Sequence, residues 1–160
     1  MGSSLLKSLD DAMDGVRKLA FDSAPIIYFI EAHPRYAAIV ERVLRKVDVG
    51  AVAGLSSVLT LTEVLTRPVQ LAQTELQKQY LDFLLHSRNF SIVSLDVQMS
   101  VQAAELRVRY GLRTPDALQL ACAMQTGSQA FLTNDIKLRK VEELRVIVLD
   151  DVLKSESGPG

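Results

Sequence analysis

The sequence predicts an α/β fold: a three-layer α/β/α sandwich around a central parallel sheet of about five strands, with a short helix ahead of the first strand. Three observations lead there. Five short apolar runs are separated by longer stretches of helical periodicity, the pattern of strands joined by crossover helices. A length of 160 residues suits one domain with a sizeable core. The composition, 48% hydrophobic and 23% charged, is that of a soluble globular chain.

In order, residues Leu5, Leu6, Leu9, Met13 and Val16 recur at spacings of three and four and predict an N-terminal helix within an extension over residues 1–15. The main domain is expected over 16–152. Its strands are expected at Lys18–Phe21, Ala51–Leu55, Phe90–Leu95, Ala130–Thr133 and Val146–Leu149. Helices are expected at Pro25–Ala32, Tyr36–Val47, Ser57–Thr66, Gln70–His86, Val97–Tyr110, Pro115–Thr126 and Lys137–Glu143. Residues 153–160, rich in Ser, Gly and Pro toward the end, are expected to form a disordered tail.

Composition excludes some functions and leaves others open. No apolar run approaches the ~18 residues of a membrane span. Asp10, Asp11 and Asp14 make the N-terminus a poor signal peptide, and the single Cys122 cannot form an internal disulfide, so a cytoplasmic location is expected. Near neutrality, with 18 basic and 19 acidic residues, argues weakly against a nucleic-acid coat protein. Cys122 lies one turn after Leu118 on an apolar face and reads as core. His33 and His86 lack metal-ligand spacing and read as surface or structural residues.

The informative residues are four acids. Asp22 directly follows the first strand and Asp135 comes two residues after the fourth. In a parallel sheet both fall at the carboxyl-end edge, where open α/β folds bind ligands. Thr114-Pro115-Asp116 looks like an N-cap, a first-turn proline and a first-turn acid, and that helix also starts at the upper edge. Glu63 sits two turns into its helix among Leu59, Leu61, Val64 and Leu65, an apolar setting for a charge. Singly, each acid is explained as a helix-start or solvated residue worth ~0.3–1 kcal/mol from the helix dipole. Together they are not, because two carboxylates ~5 Å apart repel by about 3 kcal/mol at an effective dielectric of ~20. Bound cations or raised pKa values must compensate. Oxygen-only ligation suits Mg²⁺ or Mn²⁺ rather than zinc.

Four segments carry a family resemblance: Asp22-Ser23-Ala24-Pro25-Ile26-Ile27-Tyr28, Leu61-Thr62-Glu63-Val64-Leu65-Thr66-Arg67-Pro68, Thr114-Pro115-Asp116-Ala117-Leu118-Gln119-Leu120-Ala121 and Leu132-Thr133-Asn134-Asp135. In order and spacing the chain resembles a PIN domain, the nuclease fold of VapC-type toxins in bacterial toxin–antitoxin pairs. The resemblance implies a central first strand and one or two Mg²⁺ or Mn²⁺ ions held by Asp22, Glu63, Asp116 and Asp135. It also implies endonucleolytic RNA cleavage by metal-activated water, a homodimer and a small antitoxin partner. Lys137 departs from the pattern, since many relatives carry an acid there, and so does the extra N-terminal helix.

On that reading Asp22 and Asp116 hold the principal metal, and Glu63 and Asp135 complete the site directly or through water. Ser23, Thr133 and Asn134 are candidates for orienting ligands or the scissile phosphate. Arg67, Lys137, Arg139 and Lys140 are candidate RNA contacts. A homodimer is further expected from apolar stripes formed by Ile39, Val43 and Val47 with Leu81, Leu84 and Leu85. Two rivals stand beside the nuclease. One is a catalytically weak PIN-like module that binds protein or RNA, with residues 5–16 as its docking helix. The other is a phosphoryl-transfer or receiver domain, disfavoured because no Gly-Lys-Ser/Thr phosphate loop is present.

Overall fold

Five parallel strands form one sheet in the order β3-β2-β1-β4-β5. They are β1 (Lys18–Phe21), β2 (Ala53–Ser57), β3 (Phe90–Val93), β4 (Ala130–Thr133) and β5 (Arg145–Val148). The structure is a computed structural model that describes residues 7–157. Among the described residues, eight α-helices accompany the sheet: α1 (Leu9–Ala12), α2 (Ser23–Ile30), α3 (Ala37–Asp48), α4 (Val58–Gln70), α5 (Thr74–His86), α6 (Val97–Tyr110), α7 (Thr114–Gln125) and α8 (Leu149–Glu156). The expected three-layer α/β sandwich with a short N-terminal helix is what is found. Among the described residues no helix is long and apolar enough to cross a membrane.

The pleat of β1 and β4 divides the core in two. Leu19, Phe21, Ala130 and Leu132 face one layer, where they pack with residues of α2, α3 and α5 and with Leu149 and Val152 of α8. Ala20 and Phe131 face the other, against Met99, Ala103 and Leu106 of α6 and Leu120 of α7. One close approach needs glycine: a Cβ on Gly54 would sit 2.9 Å from the Phe90 ring, and Phe21 and Val47 are at 3.3 Å.

Strands β1 and β4 lie where expected, and β2, β3 and β5 shift by one to two residues at their ends. Three expectations fail for physical reasons. Helix α4 does not stop before Pro68 but runs to Gln70, because the proline sits in the last turn and its carbonyl accepts from Gln73 N (2.8 Å) in a Schellman closure. The expected helix at Lys137–Glu143 is a 3-10 turn, Ile136–Lys140, which ends at the extended residue Val141. Its tight pitch puts Leu138 and Val141, three apart, into the same core.

The tail expected from residue 153 is helical as far as Glu156, and the carboxylate of Glu156 accepts from Leu9 N (2.8 Å) and pairs with Arg42 (2.5 Å). The N-terminal helix is one turn long. Its Leu9 and the following Met13 and Val16 are buried, while Leu5 and Leu6 of the expected stripe lie outside the described residues.

Candidate active site

At the carboxyl-end edge, β1 passes directly into α2, and Asp22 is the junction. Its backbone N–H donates to Leu132 O (2.9 Å), which continues the β1–β4 ladder by one residue. Its side chain caps α2 by accepting from Ser23 N (2.8 Å) at Oδ1, and its other oxygen accepts from Thr133 Oγ1 (2.7 Å) at the end of β4. Thr133 is fully buried and also accepts from Asp135 N (3.1 Å), so one hydroxyl ties the first acid to the backbone of the fourth.

Glu63 comes in from α4. Ser23 Oγ donates to Glu63 Oε1 (2.7 Å) and lies 3.2 Å from Thr60 Oγ1. Thr60, Glu63 and Arg67 share one side of α4 by their spacing of three and four. Glu63 itself is exposed, which corrects the apolar setting inferred from its sequence neighbours: Val64 is the buried one. Asp116 sits in the first turn of α7, as expected, with its side chain 16% exposed and Arg113 Nε 3.4 Å from Oδ2. The cap of α7 is Arg113 rather than Thr114, and it makes no side-chain cap hydrogen bond.

The electrostatics connect three of the acids. Burial pushes the Asp22 carboxyl up to about 6, hydrogen bonds from Thr133 and Ser23 pull it down, and the charges of Asp116 and Glu63 push it up again. Asp116 and Glu63 are thus both near enough for their charges to act on Asp22. The carboxylate of Asp135 caps the 3-10 turn by accepting from Lys137 N (3.0 Å). Among the described residues, no three His, Cys, Asp or Glu side chains are gathered into a ready-made metal cage. The donor set nonetheless fits a hard divalent cation. It offers only carboxylate and hydroxyl oxygens, and a cation would offset both the burial and the neighbouring charges that raise Asp22.

Under the carboxylates lies a chain of polar side chains that sequence reasoning missed. Ser57 Oγ donates to Gln119 Oε1 (2.7 Å), and Gln119 Nε2 donates to Thr60 Oγ1 (2.9 Å). Thr60 is 2.7 Å from Ser56 Oγ, which donates to Phe21 O (2.7 Å), the carbonyl before Asp22. All four side chains are buried. Two signals were available: Gln119 is the one polar residue in Ala117–Ala123 and follows Asp116 by three, and Thr60 precedes Glu63 by three.

The remaining candidates are scattered. Asn134 braces α8 and α2, accepting from Asp150 N (3.0 Å) and donating to Tyr28 Oη (3.4 Å). Arg139 is held by both oxygens of Asp151, at 2.8 and 2.5 Å. Arg67, Lys137 and Lys140 are exposed. Cys122 is buried, and burial pushes its thiol up to about 11, as befits core.

Comparison with known proteins places this fold among relatives. The family described as PIN domain matches residues 19–144. Among solved structures, the DNA-bound VapBC complex from Salmonella typhimurium is similar at a TM-score of 0.66 and 17% identity, with 83% of this chain and 98% of that chain covered. VapBC2 from Rickettsia felis, bound to a promoter DNA fragment, is similar at 0.64 and 18% identity, with 82% and 98% covered. VapC20 from Mycobacterium tuberculosis, a toxin that cleaves the sarcin-ricin loop, is similar at 0.62 and 17% identity, with 79% and 98% covered. No curated protein matches.

Proposed function

The chain belongs to the PIN domain family, and from that premise we propose that it is a Mg²⁺- or Mn²⁺-dependent endoribonuclease, the toxin of a toxin–antitoxin pair. The observation that carries the proposal is the setting of Asp22. A carboxylate capping α2 and clamped by Thr133 lies within the field of Asp116 and Glu63, at the sheet edge where parallel α/β folds bind ligands. Similar folds in toxin–antitoxin complexes support the biological part of the reading. A small antitoxin that covers the carboxylates belongs to it.

Asp22 and Asp116 are the principal ligands in this reading, with Glu63 and Asp135 completing the site. A divalent cation bound there would supply an activated water and neutralise charge developing on the phosphate. Thr133 and the Ser23 N–H fix the Asp22 carboxylate so that its lone pairs are pre-aimed, and Ser23 Oγ does the same for Glu63. The buried chain from Ser57 to Ser56 holds α4 and α7 in register beneath them.

The test is incubation of labelled RNA with the protein and Mg²⁺, against EDTA and against Asp116→Asn. Cleavage that needs the cation and disappears in the variant, with the fold intact by circular dichroism, is expected. The amide is nearly isosteric with the carboxylate but a far weaker ligand for a hard cation. Cleavage within tenfold of wild type would remove Asp116 from the site.

A homodimer is part of the proposal, on a changed footing. Ile39, Val43, Val47 and Leu84 are spent on the protein's own core, and of the expected stripe only Leu81 and Leu85 stay exposed, at 37% and 49%. Light scattering at high concentration should report twice the 17.6 kDa chain mass.

A further inference from the structure

The geometry points to Arg113 as the residue that holds an RNA phosphate beside the carboxylates once a divalent cation has taken Asp116 from it. The inference rests on the ribonuclease reading and names the residue through which an acidic site admits a polyanion. Its first support is contact. Among the ion pairs of the described residues, Arg113–Asp116 is the one that involves any of Asp22, Glu63, Asp116 and Asp135.

The second support is that local structure gives Arg113 no stabilising reason to be there. It occupies the N-cap of α7, where Ser, Thr, Asp or Asn would cap, and it makes no cap hydrogen bond. Its positive charge stands at the positive end of the helix dipole. The side chain is 79% exposed and its Nε lies 3.4 Å from Asp116 Oδ2, a geometry in which an ion pair contributes little. A residue that breaks a local rule at the edge of a site is where function is expected to override stability.

The third support is charge. Four acids face a substrate that carries one negative charge per nucleotide, and Arg139, the candidate arginine near Asp135, is committed to Asp151. Arg113 is uncommitted except to the carboxylate that a cation would claim. When the cation binds, Asp116 Oδ2 ceases to accept from Arg113, and the guanidinium fork is freed for phosphate oxygens, which it fits in bidentate fashion. The ion pair is a latch, and by linkage cation and RNA each favour its release.

The test compares wild type with Arg113→Ala, Arg113→Gln and Arg113→Lys, all matched for melting temperature, which an exposed side chain should leave unchanged. Mn²⁺ binding is measured by calorimetry without RNA. Binding of a short labelled single-stranded RNA is measured by anisotropy in Ca²⁺, with the strand shown intact by gel. Arg113→Ala and Arg113→Gln should bind Mn²⁺ about threefold to tenfold more tightly, since a nearby positive charge and competitor is gone. They should bind RNA about tenfold more weakly, with the slope of log K against log salt shallower by about 0.7, the loss of one phosphate contact. Arg113→Lys should recover that slope.

These opposite signs are what a merely structural arginine would not produce. Unchanged or weaker Mn²⁺ binding overturns the latch, and unchanged RNA affinity and slope overturn the phosphate contact. A wild type that binds both ligands, with variants indistinguishable from it, sinks this inference alone. A wild type that binds neither sinks the ribonuclease reading and this inference with it.

Discussion

Asp22 carries a cost that can be measured without any substrate. Its carboxyl stands at about 6 in the fold against 3.8 for the free group, so the folded protein holds this proton more tightly than the unfolded chain does. Stability from this group is therefore fully present below about pH 4 and is lost as the pH rises through 6, by about 3 kcal/mol at most. In EDTA at neutral pH, Asp22→Asn should melt several degrees higher than wild type, even as cleavage disappears. A simple helix cap predicts the reverse, since a neutral cap gives up dipole interaction, and a variant that melts lower would show that Asp22 does not carry the cost of a buried carboxylate. Beneath it, Thr60→Val takes from the buried Gln119 amide its 2.9 Å acceptor and from the Ser56 oxygen its 2.7 Å hydroxyl partner, while Ser56 keeps its bond to Phe21 O. A loss of about 1–3 kcal/mol is expected in denaturant titration. The four acids were legible because carboxylates at strand ends and in first helical turns have few bland explanations in combination. The buried polar chain was not, because Ser56, Ser57 and Thr60 read singly as strand-end and helix-start hydroxyls. Only the tertiary meeting of α4 and α7 reveals their partner.

Helix ends show where local sequence signals fail. Helices α2, α4 and α7 all close with Schellman hydrogen bonds, in which His33 N donates to Tyr28 O, Gln73 N to Pro68 O and Ser128 N to Ala123 O. Only the third has glycine at the left-handed position, Gly127. The other two place Ala32 and Ala72 there, each with φ of 54°. An alanine is a continuation signal in sequence and a stop in this structure, and the expected end of α4 at Thr66 falls four residues short of Gln70. Strain at Ala72 also makes a prediction. Ala72→Gly should stabilise the protein by about 0.5–1 kcal/mol, because relief of a left-handed alanine outweighs the added backbone freedom of the unfolded chain. An unchanged or lowered denaturation midpoint would show that the turn is not strained. Strands β1 and β4 were legible to the residue because both carry apolar runs, Leu19–Phe21 and Ala130–Leu132, buried on two faces, whereas β5 begins one residue early with the exposed Arg145, whose guanidinium donates to Ala12 O and Asp14 O.

Across the whole molecule, cation binding should appear as stability. At a hundredfold excess over Kd, Mg²⁺ adds about 2.7 kcal/mol to the wild type, a rise of about 5–10 °C in melting temperature for a domain of this size. Asp22→Asn and Asp116→Asn should show little of it. A wild type indifferent to Mg²⁺ would mean that the carboxylates do not share a cation. The sheet order β3-β2-β1-β4-β5 was accessible in outline, since the resemblance implied a central first strand. The clasp between α1 and α8 was hidden by the polar composition after Leu153. The same order has a consequence for synthesis. Strand β1 and Asp22 leave the ribosome early, but the hydroxyl that clamps Asp22 belongs to Thr133, 111 residues later. Until β4 emerges and inserts beside β1, the nascent chain has one flank of its future central strand bare and its carboxylates unassembled. Contacts of such separation form late and slowly. A protein that attacks RNA would therefore leave the translating message and ribosome untouched until β4 had emerged and folded beside β1.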